Sequence, residues 1–449
     1  MNGRPLRAST VLLFWLPLAA TWLMMALEGP YIAAIVARMP AAAQSLAAYG
    51  VAGALAWLIE SPIMMLLSAA TAIVRDRASF LGLRRFMMVL NGLVTLGMIV
   101  LAIPPVFRWV GETLIGLPRE VSELAHLSTI IMIPWPAAIG YRRFYQGILV
   151  RHHMTRRVAY GTVLRLVTMS VSAGLVAWLF DFPGAIIGAI AMLTGVVFEA
   201  AASRWMARHV VRDLMQSAPA EGSLLRFAEI AAFYFPLALT SILSMALGPL
   251  VTFGLGRGRA PLESLAVWPV VSSLGFMFRS GGVAFQEVGI ALPLSGVVRR
   301  TAFWLAIGSS AAMALVAFTP LQAIWFERIS GLSHELAVHT IWPVRILALL
   351  PALEYLLSVQ RARWIVAHRT RVVTVATAVE AAGLAIALFF TIFSLNLAGA
   401  VAGAIALVVG RLAANGYLFA LSGRRPPADR RVVVVDDVRD AKGARAGDE

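Results

Sequence analysis

Cysteine is absent from the 449 residues, which removes disulfides, thiolate metal sites and cysteine nucleophiles together and leaves the redox character of the compartment unread. Charge is scarce, at 14% of residues, against about 25% in an ordinary soluble domain. Acids are the rarer sign, 23 against 38 Lys and Arg. Histidine is limited to seven residues. The His152-His153 pair beside Arg151 has no acidic neighbour and reads as a helix-end cluster, so no metal site is expected. No Walker motif is present. "GLGRGR", residues 254–259, has the composition of a phosphate loop but lacks the Lys-Ser/Thr that follows one, and reads as a turn. ATP is therefore not expected as a direct energy source.

What is abundant is apolar surface. At 60% hydrophobic residues and mean hydropathy +0.81, the chain is a polytopic membrane protein. A span needs about 20 mostly apolar residues. Twelve candidates fall near residues 9–37, 46–73, 86–106, 126–150, 158–180, 183–207, 227–254, 264–293, 301–320, 340–366, 372–394 and 398–421. The run after "MNGRPLRAST" lacks a small-residue cleavage site and is read as a retained helix. Arginines cluster in alternate connections, at Arg4 and Arg7, Arg75 to Arg85, Arg151 to Arg157, Arg204 to Arg226, Arg299-Arg300, Arg361 to Arg371 and from Arg424 onward. The positive-inside rule places both termini in the cytoplasm, with the chain in the plasma (inner) membrane. The positive excess thus reports topology, and nucleic acid is not an expected partner. "GETLIGLPREVSELAH" and "FERISGLSHELAVH" read as amphipathic surface segments.

The chain repeats itself. "FWLPLAATWLMMALEGP" from Phe14 aligns with "FYFPLALTSILSMALGP" from Phe233 at a shift of 219. At that shift Pro17 pairs with Pro236, Pro30 with Pro249 and Ser61 with Ser280. Further on the shift is 215, pairing Arg84-Arg85 with Arg299-Arg300, Pro136 with Pro351, His153 with His368, and "GAIIGAIAMLTG" from Gly184 with "GAVAGAIALVVG" from Gly399. A four-residue deletion between the two registers is most simply placed in the loop after the second span. Six spans per repeat is an even number, so the halves share one orientation and are related by an axis along the membrane normal. The expected architecture is an all-α integral membrane protein of 12 transmembrane helices in two pseudo-symmetric six-helix lobes. Its parts are 1–208, the N-terminal lobe; 209–224, a cytoplasmic linker; 225–422, the C-terminal lobe; and 423–449, a disordered cytoplasmic tail.

Two six-helix repeats, a proline-bearing first helix with an acid and a Gly-rich sixth helix resemble the multidrug and toxic compound extrusion (MATE) transporters and their wider MOP flippase superfamily. "FWLPLA", "LAAYG" and "GILVRH" are similar to segments of the progressive ankylosis proteins. The resemblance implies alternating access, with an acid on the first helix serving cation coupling.

Ionisable groups at lipid depth ask for a partner, a wet cavity or a function. Glu28 lies roughly 28 Å along the first span, at 1.5 Å per residue. Beside Gly29-Pro30, which frees a backbone carbonyl, it is a candidate site for H⁺ or Na⁺, the alternative being a hydrogen bond to a neighbouring helix. Glu60 and its repeat mate Arg279 either pair across a central cleft or are satisfied within their own lobes. Arg142 and Arg143, about 13 Å from the helix end at Arg151, cannot share one face, and at least one is expected to line an aqueous path. Guanidinium there favours an anionic or zwitterionic cargo. Arg165 and its mate Glu380 are expected to snorkel to the interface. Arg345, Glu354, Glu199 and Arg411 are expected in structural or interfacial roles.

The reading is a secondary-active exporter of a small organic molecule, coupled to H⁺ or Na⁺ and needing no other cofactor, with Glu28 as cation site and Glu60, Arg142, Arg143 and Arg279 as substrate-binding residues. A monomer in the lipid bilayer is expected. The alternatives are a flippase for a lipid-linked phosphate precursor and, from another class, a membrane-embedded enzyme. Against the last stands the lack of a nucleophile pair or a clustered His/Asp/Glu motif, so no catalytic residue is named.

Overall fold

The computed structural model describes residues 7–152, 154–217, 226–367 and 369–422. His153, His368 and the tail 423–449 lie outside the described residues, as does most of the second half of the expected linker. Among the described residues, 11 helices are long and apolar enough to cross a membrane, and 12 when a pair bent by 40° counts as one. That is the architecture expected from the repeat.

The N-terminal lobe holds Ala8–Val36, Ala42–Ile73, Arg77–Ala102, the bent pair Arg119–Ile131 and Trp135–Arg151, Thr155–Leu179 and Gly184–Met206. The C-terminal lobe holds Phe227–Arg257, Pro261–Ala291, Gly296–Phe318, His334–Val366, Arg371–Ser394 and Gly399–Ser422. These are the first to twelfth spans. A short helix, Arg208–Gln216, follows the sixth and occupies the first part of the expected linker. Large apolar side chains point outward, Leu13 at 72% exposed and Trp178 at 81%. Such a surface is stable only against lipid.

Proline chemistry sets the breaks. Pro17 and Pro30 both sit inside the continuous first helix. In the second span the α-helix stops at Glu60 and a 3-10 turn, Ser61–Ile63, carries the chain past Pro62. "IPWP" interrupts the fourth span, which restarts at Trp135 with Pro136 in its first turn, where the missing N–H costs nothing. The restart places the Trp135 indole against the second span. At Gly147 the fourth span passes so close to the second that a Cβ would meet the Leu67 carbonyl at 2.5 Å.

The backbone repeats with the sequence. Left-handed alanines precede the second and eighth spans, Ala41 (φ 52°) and Ala260 (φ 50°). Left-handed glycines, Gly116 (φ 88°) and Gly331 (φ 74°), follow matching π-helical turns, Trp109–Ile115 and Ile324–Ile329. One expectation is corrected. The helix caps Asp76 and Ser295 still stand in the 219 register, so the loop after the second span is intact. The third span is 26 residues and the ninth 23. The deletion is therefore taken from the helix, about one turn at 3.6 residues, which leaves nearly the same face toward the lobe.

The lobes grip each other through their first helices. Val11 packs with Phe285, Val288, Val298 and Tyr355 of the opposite lobe. Trp15 Nε1 donates to the Gly281 carbonyl at 2.9 Å. Reciprocally, the Tyr234 hydroxyl donates to the Pro62 carbonyl at 2.6 Å, and its ring lies 5.0 Å from that of Phe86. Trp15 and Tyr234 are repeat mates, as are Pro62 and Gly281, so this contact obeys the pseudo-two-fold axis.

Candidate functional site: two buried charge networks

In the N-terminal lobe, Glu28 of the first span meets Arg165 of the fifth, with Oε2 and Nη2 2.6 Å apart. Arg165 continues to Glu199 of the sixth span at 3.8 Å. Glu199 holds Arg142 of the fourth span at 2.5 Å and accepts from Gln146 Nε2 at 3.0 Å. Glu60 accepts from Trp135 Nε1, and the Arg165 guanidinium lies 5.7 Å from the centre of the same indole. All of these are buried, with Glu199 at 0% exposure. Such ions are tolerable at this depth because Glu28, Arg142, Arg165 and Glu199 are ion-paired and Glu60 is held by the indole N–H.

Arg143 stands apart. Among the described residues it forms no ion pair. Its Nη2 approaches the Met64 sulfur at 3.8 Å, its Nε has no hydrogen-bond partner, and the side chain is half-buried. Glu28 also has spare capacity, since its buried Oε1 has no hydrogen-bond partner among the described residues.

The C-terminal lobe builds a second network. Glu354 of the tenth span binds Arg279 of the eighth at 3.1 Å and Arg411 of the twelfth at 3.3 Å. Arg411 bridges to Glu380 of the eleventh span at 3.2 Å, and Glu380 binds Arg361 at 3.3 Å. Asn415 accepts from Gln360 at 2.9 Å and donates to the Leu353 carbonyl at 3.2 Å. The Arg279 side chain keeps 29% of its surface exposed and lies over the Phe276 ring at 5.0 Å.

Of the residues picked out by sequence, Glu28 and Arg142 are joined through Arg165 and Glu199. Glu60 and Arg279 make no ion pair with each other here and are satisfied within their lobes by Trp135 and Glu354. Arg142 is closed off against Glu199, whereas Arg143 retains access. One expectation is overturned. Arg165 and Glu380 do not snorkel, being 7% and 4% exposed and ion-paired at the centre of their networks. Glu199, Glu354 and Arg411, expected in structural or interfacial roles, are hubs of those networks. The signal was present in the repeat alignment, which sets Arg165 against Glu380 and Gln146 against Arg361. Arg345 lies 5.3 and 5.5 Å from the Phe318 and Trp342 rings and donates through Nε to the Ala317 carbonyl at 3.4 Å. No group of three metal-ligating side chains occurs among the described residues. The stretch 254–259, expected as a turn, is helical as far as Arg257.

No protein-family model and no curated protein matches the chain. Solved structures do. A multidrug-resistance MATE transporter of the MOP superfamily in an inward-facing conformation superposes with TM-score 0.67 at 16% identity, over 93% of this chain and 99% of that one. The fold is that of the MATE-type transporters. The lipid II flippase MurJ in an inward closed conformation matches with TM-score 0.67 at 12% identity, over 91% of this chain and 87% of its own. A MOP superfamily transporter from Pyrococcus furiosus, described as having a binding pocket of reversed polarity, gives TM-score 0.65 at 16% identity over 93% and 96%. The MATE-type fold explains why the two networks lie in separate six-helix lobes, each built from one copy of the repeat.

Proposed function

We propose that the protein is an alternating-access transporter whose cargo is an organic anion or zwitterion. The observation that carries this reading is Arg143, a half-buried guanidinium with no ion pair among the described residues, in a lobe whose other buried arginines are neutralised. Its planar fork suits carboxylate or phosphate, and cargo would supply the charge that the protein withholds. Arg279, partly exposed in the opposite lobe, is the second contact. Glu28 serves coupling: a proton or Na⁺ taken up at its free Oε1 weakens the hold on Arg165, and through Arg165 the tie to Glu199. The likeness to MATE transporters and to a flippase supports movement of cargo over chemistry on it, in a multi-pass membrane protein. The reading takes the protein as a monomer in the plasma membrane, with cytoplasmic termini on the strength of its alternating arginine-rich connections.

A lipid-linked phosphate is the second reading, favoured by one feature. A groove of about 1030 Å³ runs between the third, fourth and sixth spans, lined by apolar side chains such as Leu96 and Val197 and by the polar Asn91, Thr95, Tyr141 and Arg204. Thermal-shift screening of the purified protein against small carboxylates, phosphates, polyprenyl phosphates and organic cations tests both. Stabilisation by anions that disappears in Arg143→Ala supports the proposal, and a response to organic cations alone overturns it.

A further inference from the structure

Where the first span ends, two arginines cross the seam between the lobes. Arg38, just past Val36, donates through Nη2 to the carbonyls of Arg328 and Ile329 at 2.8 and 2.7 Å, and through Nη1 to Ala34 at 2.6 Å. Those two carbonyls close the π-helical turn Ile324–Ile329 of the other lobe. Arg257, the last residue of the seventh span, does the converse. Its Nε donates to the Leu114 carbonyl at 3.1 Å and its Nη2 to that of Thr113, at the end of the turn Trp109–Ile115.

Each guanidinium lies over a left-handed glycine. A Cβ on Gly331 would fall 2.9 Å from Arg38 Cγ, and one on Gly116 would fall 3.5 Å from Arg257 Nε. Arg38 and Arg257 are mates in the 219 register, and the two carbonyl pairs and the two glycines are mates in the 215 register. An accidental contact would have to have arisen twice. The chemistry is apt as well: the last carbonyls of a helical turn lack intrahelical partners and carry partial negative charge, and a guanidinium fork can serve two at once.

We infer that Arg38 and Arg257 are paired gate residues, which hold the cleft shut at the face where the first and seventh spans end and must both let go for it to open there. The deeper reciprocal contacts, Trp15 with Gly281 and Tyr234 with Pro62, lie toward the other ends of the same helices and act as the pivot. Because the arginines bind backbone carbonyls, the gate needs no cargo and no titrating group to close. It rests on alternating access but not on which molecule is carried.

The absence of cysteine allows a direct test. A cavity of about 370 Å³ at this face is lined from both lobes, by Gln44 on one side and Glu263, Ser333 and His339 on the other. Gln44→Cys, reacted with a membrane-impermeant maleimide, reports opening. Arg38→Ala or Arg257→Ala should each speed labelling about fivefold and the double variant about twentyfold, as for exposed charge-assisted contacts. Arg38→Lys/Arg257→Lys, which keeps charge and solubility, should fall between, since an ammonium cannot reproduce the fork. Wild-type labelling rates in both double variants, with circular dichroism and thermal unfolding unchanged, overturn the inference. Altered labelling without any anion response would sink the cargo reading and leave the gate standing.

Discussion

The two lobes place buried charge at corresponding points and disagree about its sign. Arg165 in one stands where Glu380 stands in the other, Gln146 where Arg361 stands, and Glu60 where Arg279 stands. The N-terminal lobe sets Glu28, Glu60 and Glu199 beside Arg142, Arg165 and the unpaired Arg143, so its signs balance in number although Arg143 stays outside the ion pairs. The C-terminal network sets Arg279, Arg361 and Arg411 against Glu354 and Glu380 and keeps one positive charge in excess. Duplication passed on the depth and the helix faces. The charges were then settled separately, because at lipid depth each new ion asks for a partner, a wet cavity or a function of its own. The six-to-five excess over both lobes is the electrostatic reason to expect a negative guest.

The comparison is broken most severely at the hubs. Glu199→Gln strips Arg142 and Arg165 of a shared partner that is wholly buried, and should cost about 3–5 kcal/mol, read as loss of folded protein in detergent unfolding. Glu354→Gln should cost less, since Arg279 reaches solvent. Equal losses would mean that the exposure of Arg279 has no energetic meaning.

A gentler perturbation separates pairing from coupling. Glu28→Gln and Arg165→Gln should each destabilise, and the double variant should recover about 0.5–3 kcal/mol of the summed loss, the range for residues in one network. Arg165→Gln combined with Glu380→Gln should be additive within about 0.5 kcal/mol, because the two mates lie in different networks. Coupling between those mates would join networks that the structure keeps apart. In proteoliposomes the Glu28→Gln/Arg165→Gln protein should stay folded yet lose cation-driven counterflow, and retained counterflow would remove Glu28 from the coupling role.

The contrast between lobes also explains what could be read in advance. Spans, repeat and fold class follow from hydropathy and from a register that apolar helices hold for hundreds of residues. The identity of the charged residues at depth was equally legible. Their partners were not. Arg165 and Glu380 fall close to the ends of the spans that hydropathy marks, where snorkelling is the usual outcome, but the helices Thr155–Leu179 and Thr370–Phe389 carry them mid-helix, and the packing of the fifth span on the sixth, and the eleventh on the twelfth, turns them inward. Arg38 and Arg257 carry no sequence signal of their role, because their partners are backbone carbonyls, which no side-chain pattern marks. The lost turn of the ninth span leaves no mark in sequence that separates it from a loop deletion, since removing about one full turn spares the helix face.

The smallest effect on stability should come from Glu60, and it bears most directly on the cargo. Glu60 accepts from Trp135 Nε1, and Gln can accept the same bond, so Glu60→Gln should change stability by about 1 kcal/mol or less. The charge has another use. Glu60 and Arg143 lie within electrostatic reach of each other without forming an ion pair, so the carboxylate partly satisfies the guanidinium that we assign to cargo. Removing that competitor should strengthen binding of an anion by about threefold to tenfold, up to about 1.4 kcal/mol, as measured by titration of the thermal shift. Trp135→Phe leaves the charge and removes the hydrogen bond, and should move stability more than affinity. If Glu60→Gln instead weakens anion binding, Glu60 contacts the cargo itself, and the guest must carry a hydrogen-bond donor or a positive group beside its negative one. The sign of one affinity change thus separates an anion from a zwitterion.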